Sequence, residues 1–195
     1  MASIKPKELE RLVAAGRRMY EGGLVTGALG AIGVRLSGGT VAVTAAGARL
    51  GDLSQSDILV MDGSAPEPEA ENARTPGKDA GIIRAVLATQ TEAASVIRVH
   101  STYTTALAHK GARALLKSSA LLENIGGVAF VPYYRPGTAG LAGSVAEVMR
   151  ANCVVIIEAQ GAVVRGADVD DAIDQAEAME AAARLIFVLR GSNWS

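Results

Sequence analysis

The chain has 195 residues, of which 49% are hydrophobic, 20% charged and 4% aromatic, with a formal net charge of -1. That length fits one domain, residues 1–195, with a full core. The near-neutral charge and scarce aromatics argue against a nucleic-acid or membrane-surface partner.

A single cysteine, Cys153, cannot form an internal disulfide, and no apolar run is long enough to span a bilayer. The N-terminal stretch has no apolar core of signal-peptide length, so a cytoplasmic protein is expected.

Taken in chain order, residues 7–22 place Leu9, Leu12, Val13 and Met19 at helical spacing, ended by Gly22-Gly23. The stretch "GVRLSGGTVAVTAAG" predicts a hairpin turning at Ser37-Gly38-Gly39, and "DILVMDG" predicts a short strand. "SAPEPEAENARTPGK" has three prolines, several acids and no period, and predicts a loop. In "DAGIIRAVLATQT", Ile82, Ile83, Val86 and Leu87 share a helical face. "SVIRVH" predicts a strand that delivers His100 to a second helix, "TYTTALAHKGARALLKSS". A strand in "GGVAFVPYY" and a helix in "TAGLAGSVAEVMRAN" follow. "CVVIIEAQGAVVRG" predicts two short strands around Gly161. The last segment is the longest helix: Asp168 caps it, and Ala172, Ala176, Met179, Ala183 and Ile186 line one face. Paired strands with helices between them predict an α/β fold with three α/β/α layers and a mainly antiparallel central sheet.

The order of these segments resembles the class II aldolase/adducin head-domain family over roughly residues 8–190. "GLVTGALGAIGVR" is similar to that family's "sGtsGNiSvR", and "VAVTAAGARLGDLSQSDILVMDG" to "iliTpsGvplgdltpeDlvvvDldG". "VHSTYTTALA" is similar to "HtHspyaTAlA", and "VPYYRPGTAGLA" to "pYapyGTeeLA". "VVIIEAQGAVVRGADVDDAIDQAEAME" resembles "llLrnHGvvvvGkdleeAfdraeelE". Active members hold a divalent metal, usually zinc, on three histidines, with a glutamate as acid/base; the metal polarises a carbonyl and stabilises an enediolate.

The resemblance puts His100 at the second histidine, Arg98 at the first, Gln160 at the third and Asp79 at the glutamate. An arginine carries a fixed charge and does not ligate a cation, and a glutamine is a weak donor to zinc. The resemblance therefore implies a dismantled metal site, with no cofactor expected. The family's phosphate-holding groups are also changed: its asparagine falls on Ala31 and its serine pair on Gly77 and Lys78, while Thr44 and Gly47 keep their places. Lys78 and Arg98 add positive charge, which suits a small anionic metabolite.

On this basis Asp79 and His100 are the expected catalytic pair, and Lys78, Arg98, Gln160, Thr44, Gly47 and Tyr103 the expected substrate contacts. Several residues keep two readings. His100 serves acid/base chemistry, or is a strand-end histidine satisfied by a carbonyl. Arg98 holds a substrate carboxylate, or pairs with Asp79, because a charge inside a strand needs a partner. The expected activity is a metal-independent carbon–carbon or carbon–oxygen lyase or decarboxylase. The alternatives are a non-catalytic binding or scaffold homologue, and a metal-dependent sugar-phosphate aldolase with an unusual ligand set. By resemblance the chain is expected to assemble as a homo-oligomer, a tetramer.

Overall fold

The computed structural model describes residues 4–63, 75–109 and 125–191. Residues 64–74 of the loop expected over 64–78, and the continuation of the second helix over 110–119, lie outside the described residues. Among the described residues the helices are α1 (Pro6–Glu21), α2 (Ala80–Thr89), α3 (Thr102–His109), α4 (Ala139–Val148) and α5 (Val169–Gly191). The strands are β1 (Ala31–Arg35), β2 (Thr40–Thr44), β3 (Ile58–Asp62), β4 (Ser95–Val99), β5 (Val128–Val131), β6 (Val154–Ile157) and β7 (Gly161–Gly166).

Local chemistry sets several of these boundaries. α1 starts on Pro6, whose missing N–H costs nothing there. α5 starts at the expected cap: the Asp168 carboxylate accepts from the Asp171 N–H at 2.9 Å. β1 and β2 are joined by a 3-10 turn over Ser37–Gly39, in which Gly38 and Gly39 have φ of 73° and 79°.

The seven strands among the described residues form one sheet in the order β3-β2-β1-β4-β7-β6-β5. Every neighbouring pair is antiparallel except β5 and β6. The sheet is thus mixed and mostly antiparallel, as expected.

Alternation along the strands divides the core into two layers. Ile97 and Val99 of β4 pack with Leu12 and Met19 of α1, Leu107 of α3 and Met179 of α5. Val96 packs on the other face with Ile83 and Val86 of α2 and Leu141 and Val145 of α4. Arg98, two residues from Val96, shares that second face. The expected stripe on α5 is buried throughout, from Ala172 at 0% exposure to Ile186 at 8%. No helix among the described residues is long and apolar enough to cross a membrane.

Candidate functional site

The site forms where β4 ends, beside the β6–β7 turn and the N-terminus of α2. Arg98 comes from β4 and is 2% exposed. Its Nε donates to Asp79 Oδ1 at 3.2 Å. Its Nη1 donates to the Ala162 carbonyl at 2.9 Å and more weakly to that of Val99 at 3.4 Å. Its Nη2 donates to the Gln160 carbonyl. The guanidinium thus meets one carboxylate and three main-chain oxygens. Burial pushes its pKa down, and the Asp79 charge acts against that shift.

His100 follows at the strand end, its backbone N–H donating to the Leu24 carbonyl at 2.9 Å. Burial first, and the Arg98 charge second, push its imidazole down to about 4, with Asp79 opposing. The ring is therefore neutral at pH 7 and makes no hydrogen bond among the described residues. Next to it, the Ser101 hydroxyl is 1% exposed and unpartnered, and the Thr105 hydroxyl is buried and unpartnered. Gly161 closes the far side with φ of 79°. A Cβ there would run into the Val99 carbonyl and stand 3.1 Å from His100 Cα, so only glycine lets the turn lie this close. Ala159, in the same turn, holds a φ of 58° without being glycine.

Of the expected site residues, Asp79, Arg98 and His100 come together. Gln160 joins them through its carbonyl alone; its side-chain amide turns away and donates to the Tyr134 carbonyl at 2.6 Å. Thr44 is 4% exposed, and its hydroxyl accepts the Ile32 N–H at 3.1 Å. Gly47 lies in an exposed turn with φ of 73°. That turn is tied to the segment before α2 by the Ala46 N–H donating to the Thr75 carbonyl at 2.8 Å, which brings it beside Gly77 and the exposed Lys78.

Tyr103 is not part of this cluster. Its ring packs on Phe187 of α5 at 5.9 Å between centroids, with the Arg184 guanidinium over it at 5.9 Å. The reason is geometric: α3 lies on the α1/α5 face of the sheet, opposite the face that carries Arg98.

One residue that the sequence reading passed over supports the site. Glu180 of α5 accepts from the N–H groups of Tyr103 and Thr104 at 2.9 and 2.8 Å, and from the Thr104 hydroxyl at 2.7 Å. It caps α3 from another helix and so fixes the chain just beyond His100. Its only trace in the sequence is its place as the last residue of the "AEAME" motif.

These residues do not fit a divalent metal. The guanidinium occupies the space between Asp79 and the Gln160 carbonyl, and a second cation there would meet its charge. Among the described residues, no three His, Cys, Asp or Glu side chains are grouped to hold an ion. The arrangement offers a buried cation, a partly exposed carboxylate, and a neutral imidazole with both nitrogens available.

Residues 10–187 match the family profile described as Class II Aldolase and Adducin N-terminal domain. A 3-oxo-tetronate 4-phosphate decarboxylase of Haemophilus influenzae is 32% identical over 198 residues, covering 98% of this chain and 91% of that protein. A protein of the same name from Pectobacterium atrosepticum is 28% identical, covering 96% of this chain and 88% of its own. The crystal structure of YgbL from Escherichia coli superposes with a TM-score of 0.83 at 25% identity, over 97% of this chain and 91% of that one. An L-fuculose 1-phosphate aldolase has the same fold, with a TM-score of 0.84 at 23% identity over 96% of this chain and 88% of that one.

Proposed function

The chain belongs to the class II aldolase and adducin family, and from that premise we propose that it is a decarboxylase of a small phosphorylated 3-oxo acid that works without a metal. The reaction class is supported by the names of the relatives, 3-oxo-tetronate 4-phosphate decarboxylases. The observation that carries metal independence is the Arg98 guanidinium, paired with Asp79 and held against the β6–β7 turn.

Loss of carbon dioxide breaks the bond between the carboxylate carbon and C2, and its electron pair moves onto the C3 carbonyl as an enolate. That oxygen needs a donor. Neutral His100 gives its N–H, and the Arg98 charge, held in low dielectric, favours the developing anion. One proton from water then returns to C2, with Asp79 placed to relay it. Lys78, exposed beside Asp79, attracts the anionic substrate. The chain works as a cytoplasmic homo-oligomer, a tetramer by family resemblance.

A second reading keeps one specific support. With Arg98 2% exposed and its N–H groups spent on the protein's own oxygens, the guanidinium also suits an internal brace in a non-catalytic homologue.

The test is release of carbon dioxide from a phosphorylated 3-oxo acid by chelator-treated protein. Release that survives chelation and disappears in His100→Ala is expected. Release that requires added zinc, or zinc bound at near one ion per chain and lost in His100→Ala, overturns metal independence. No release from any such acid overturns the decarboxylase reading.

A further inference from the structure

Ser101 immediately precedes α3, where a serine ordinarily spends its hydroxyl on the free N–H groups of the first turn. Here those groups are taken from outside. Glu180 of α5 accepts from the Tyr103 and Thr104 N–H groups and from the Thr104 hydroxyl. The Ser101 hydroxyl, in a residue 1% exposed, is left without a protein partner, and so is the buried Thr105 hydroxyl. A hydroxyl withdrawn from water and left unpaired is costly, and two together call for a partner beyond the protein's own atoms.

Their placement narrows what that partner is. Residues 101 and 105 are one helical turn apart, and the Thr105 N–H donates to the Ser101 carbonyl at 3.0 Å, so they share one side of α3. Thr105 reaches the β6–β7 turn. A Cβ placed on Gly161 would stand 3.3 Å from Thr105 Oγ1 and 3.1 Å from His100 Cα, and would run into the Val99 carbonyl. The Thr105 hydroxyl, the Val99 carbonyl and the main chain of His100 therefore all border the α-carbon of Gly161. Two hydroxyls and a carbonyl are uncharged, and they supply the several polar partners that a buried water needs; they suit water rather than an ion.

We infer that Ser101 and Thr105 hold a buried water against His100 and, through it, position the imidazole. A neutral imidazole has one N–H and one bare nitrogen, and the hydrogen bond made by one nitrogen sets which of them carries the proton. The water accepts from the two hydroxyls and donates to the Val99 carbonyl and to the bare nitrogen of His100. The other ring nitrogen then keeps its N–H and directs it at the C3 oxygen of the substrate. Ser101 and Thr105 are positioning residues, and the capping of α3 by Glu180 is what frees the Ser101 hydroxyl for this role. The catalytic consequence rests on the decarboxylase reading, whereas the tautomer belongs to the ligand-free chain.

The chain has two histidines, so His109→Gln leaves His100 as the sole imidazole, and its tautomer at pH 7 can be read from nitrogen-15 shifts of the ring. One tautomer is expected in that background. Ser101→Ala and Thr105→Val should each give a mixture, and Thr105→Ser, which keeps the hydroxyl, should return the single form. Both hydroxyl deletions should melt at or above the parent chain, because neither hydroxyl bonds to the protein. Both should lower kcat for carbon dioxide release about three- to tenfold, the size expected for losing one neutral hydrogen bond, with KM kept. Three results overturn the inference: a mixture of tautomers already in the parent background, a single tautomer that neither deletion changes, or a mixture in the deletions with kcat unchanged. A single tautomer that both deletions abolish, in a chain that releases no carbon dioxide from any phosphorylated 3-oxo acid, supports the water site and overturns the decarboxylase reading instead.

Discussion

His100 is the residue whose protonation decides what the end of β4 can do. Burial and the neighbouring Arg98 charge hold its pKa at about 4, against 6.5 for a free imidazole. The unfolded chain takes up this proton near pH 6.5, and the folded chain refuses it until about pH 4. Stability from this group is therefore complete above pH 6.5 and is lost as the pH falls towards 4. Linkage sets the loss at about 2–3 kcal/mol. Urea unfolding at pH 7 and pH 4.5 should show the parent chain losing about that much more than His100→Gln over the same interval. Equal losses would mean that the imidazole is not held neutral by the fold. The family resemblance in the sequence singled out His100, Arg98 and Asp79, and a strand of alternating faces puts residues 98 and 100 on one side. It did not reveal that Gln160 turns its amide to Tyr134. That direction depends on where the segment after β5 passes, and spacing along the chain carries no information about it.

Among the elements, α3 depends on its neighbour. It is the short helix after β4, and its first N–H groups are met by Glu180 of α5, 77 residues away from Tyr103 in the chain. Ser101 stands at the helix start with an unpartnered hydroxyl, so the local cap that sequence rules look for is not used. Glu180→Ala leaves three donors without their acceptor and should cost about 1–3 kcal/mol. Glu180→Gln keeps the shape and should cost less. Hydrogen exchange at the Tyr103 and Thr104 amides should accelerate in both variants, most in Glu180→Ala. Unchanged exchange there would show that α3 is held by packing alone. The helix and strand pattern was legible because it follows local periodicity, down to the Asp168 cap and the turn at Gly38-Gly39. Arg35, Arg165 and Glu180 were not legible in these roles. Each satisfies the end of a helix that is distant in sequence, and nothing in the local pattern marks such a partner.

Across the whole molecule, Arg98 is the residue that ties the parts together. From the middle strand it reaches the helix layer through Asp79 and the β6–β7 turn through the carbonyls of Gln160 and Ala162. In active members of the family, as the resemblance implies, a metal gathers these same segments. Here the Arg98 guanidinium bonds to these segments, a cation fixed to the chain whose charge does not depend on a deprotonated ligand set. This makes two outcomes separable in a double-mutant cycle on Arg98 and Asp79, read by urea unfolding and by carbon dioxide release. Arg98→Met leaves a carboxylate and main-chain oxygens unpaired and should cost about 3–5 kcal/mol. Asp79→Asn should cost less, because the Asp79 side chain is 25% exposed. The pair should show a coupling of about 1–3 kcal/mol, since Asp79→Asn removes the charge that Arg98→Met strands. Asp79→Asn keeps most of the brace, so it distinguishes the two readings of function. In the decarboxylase it should fold and lose most carbon dioxide release, because the proton relay is gone while the enolate donor stays. In a non-catalytic homologue the stability coupling stands, and no variant, including the parent chain, releases carbon dioxide at all.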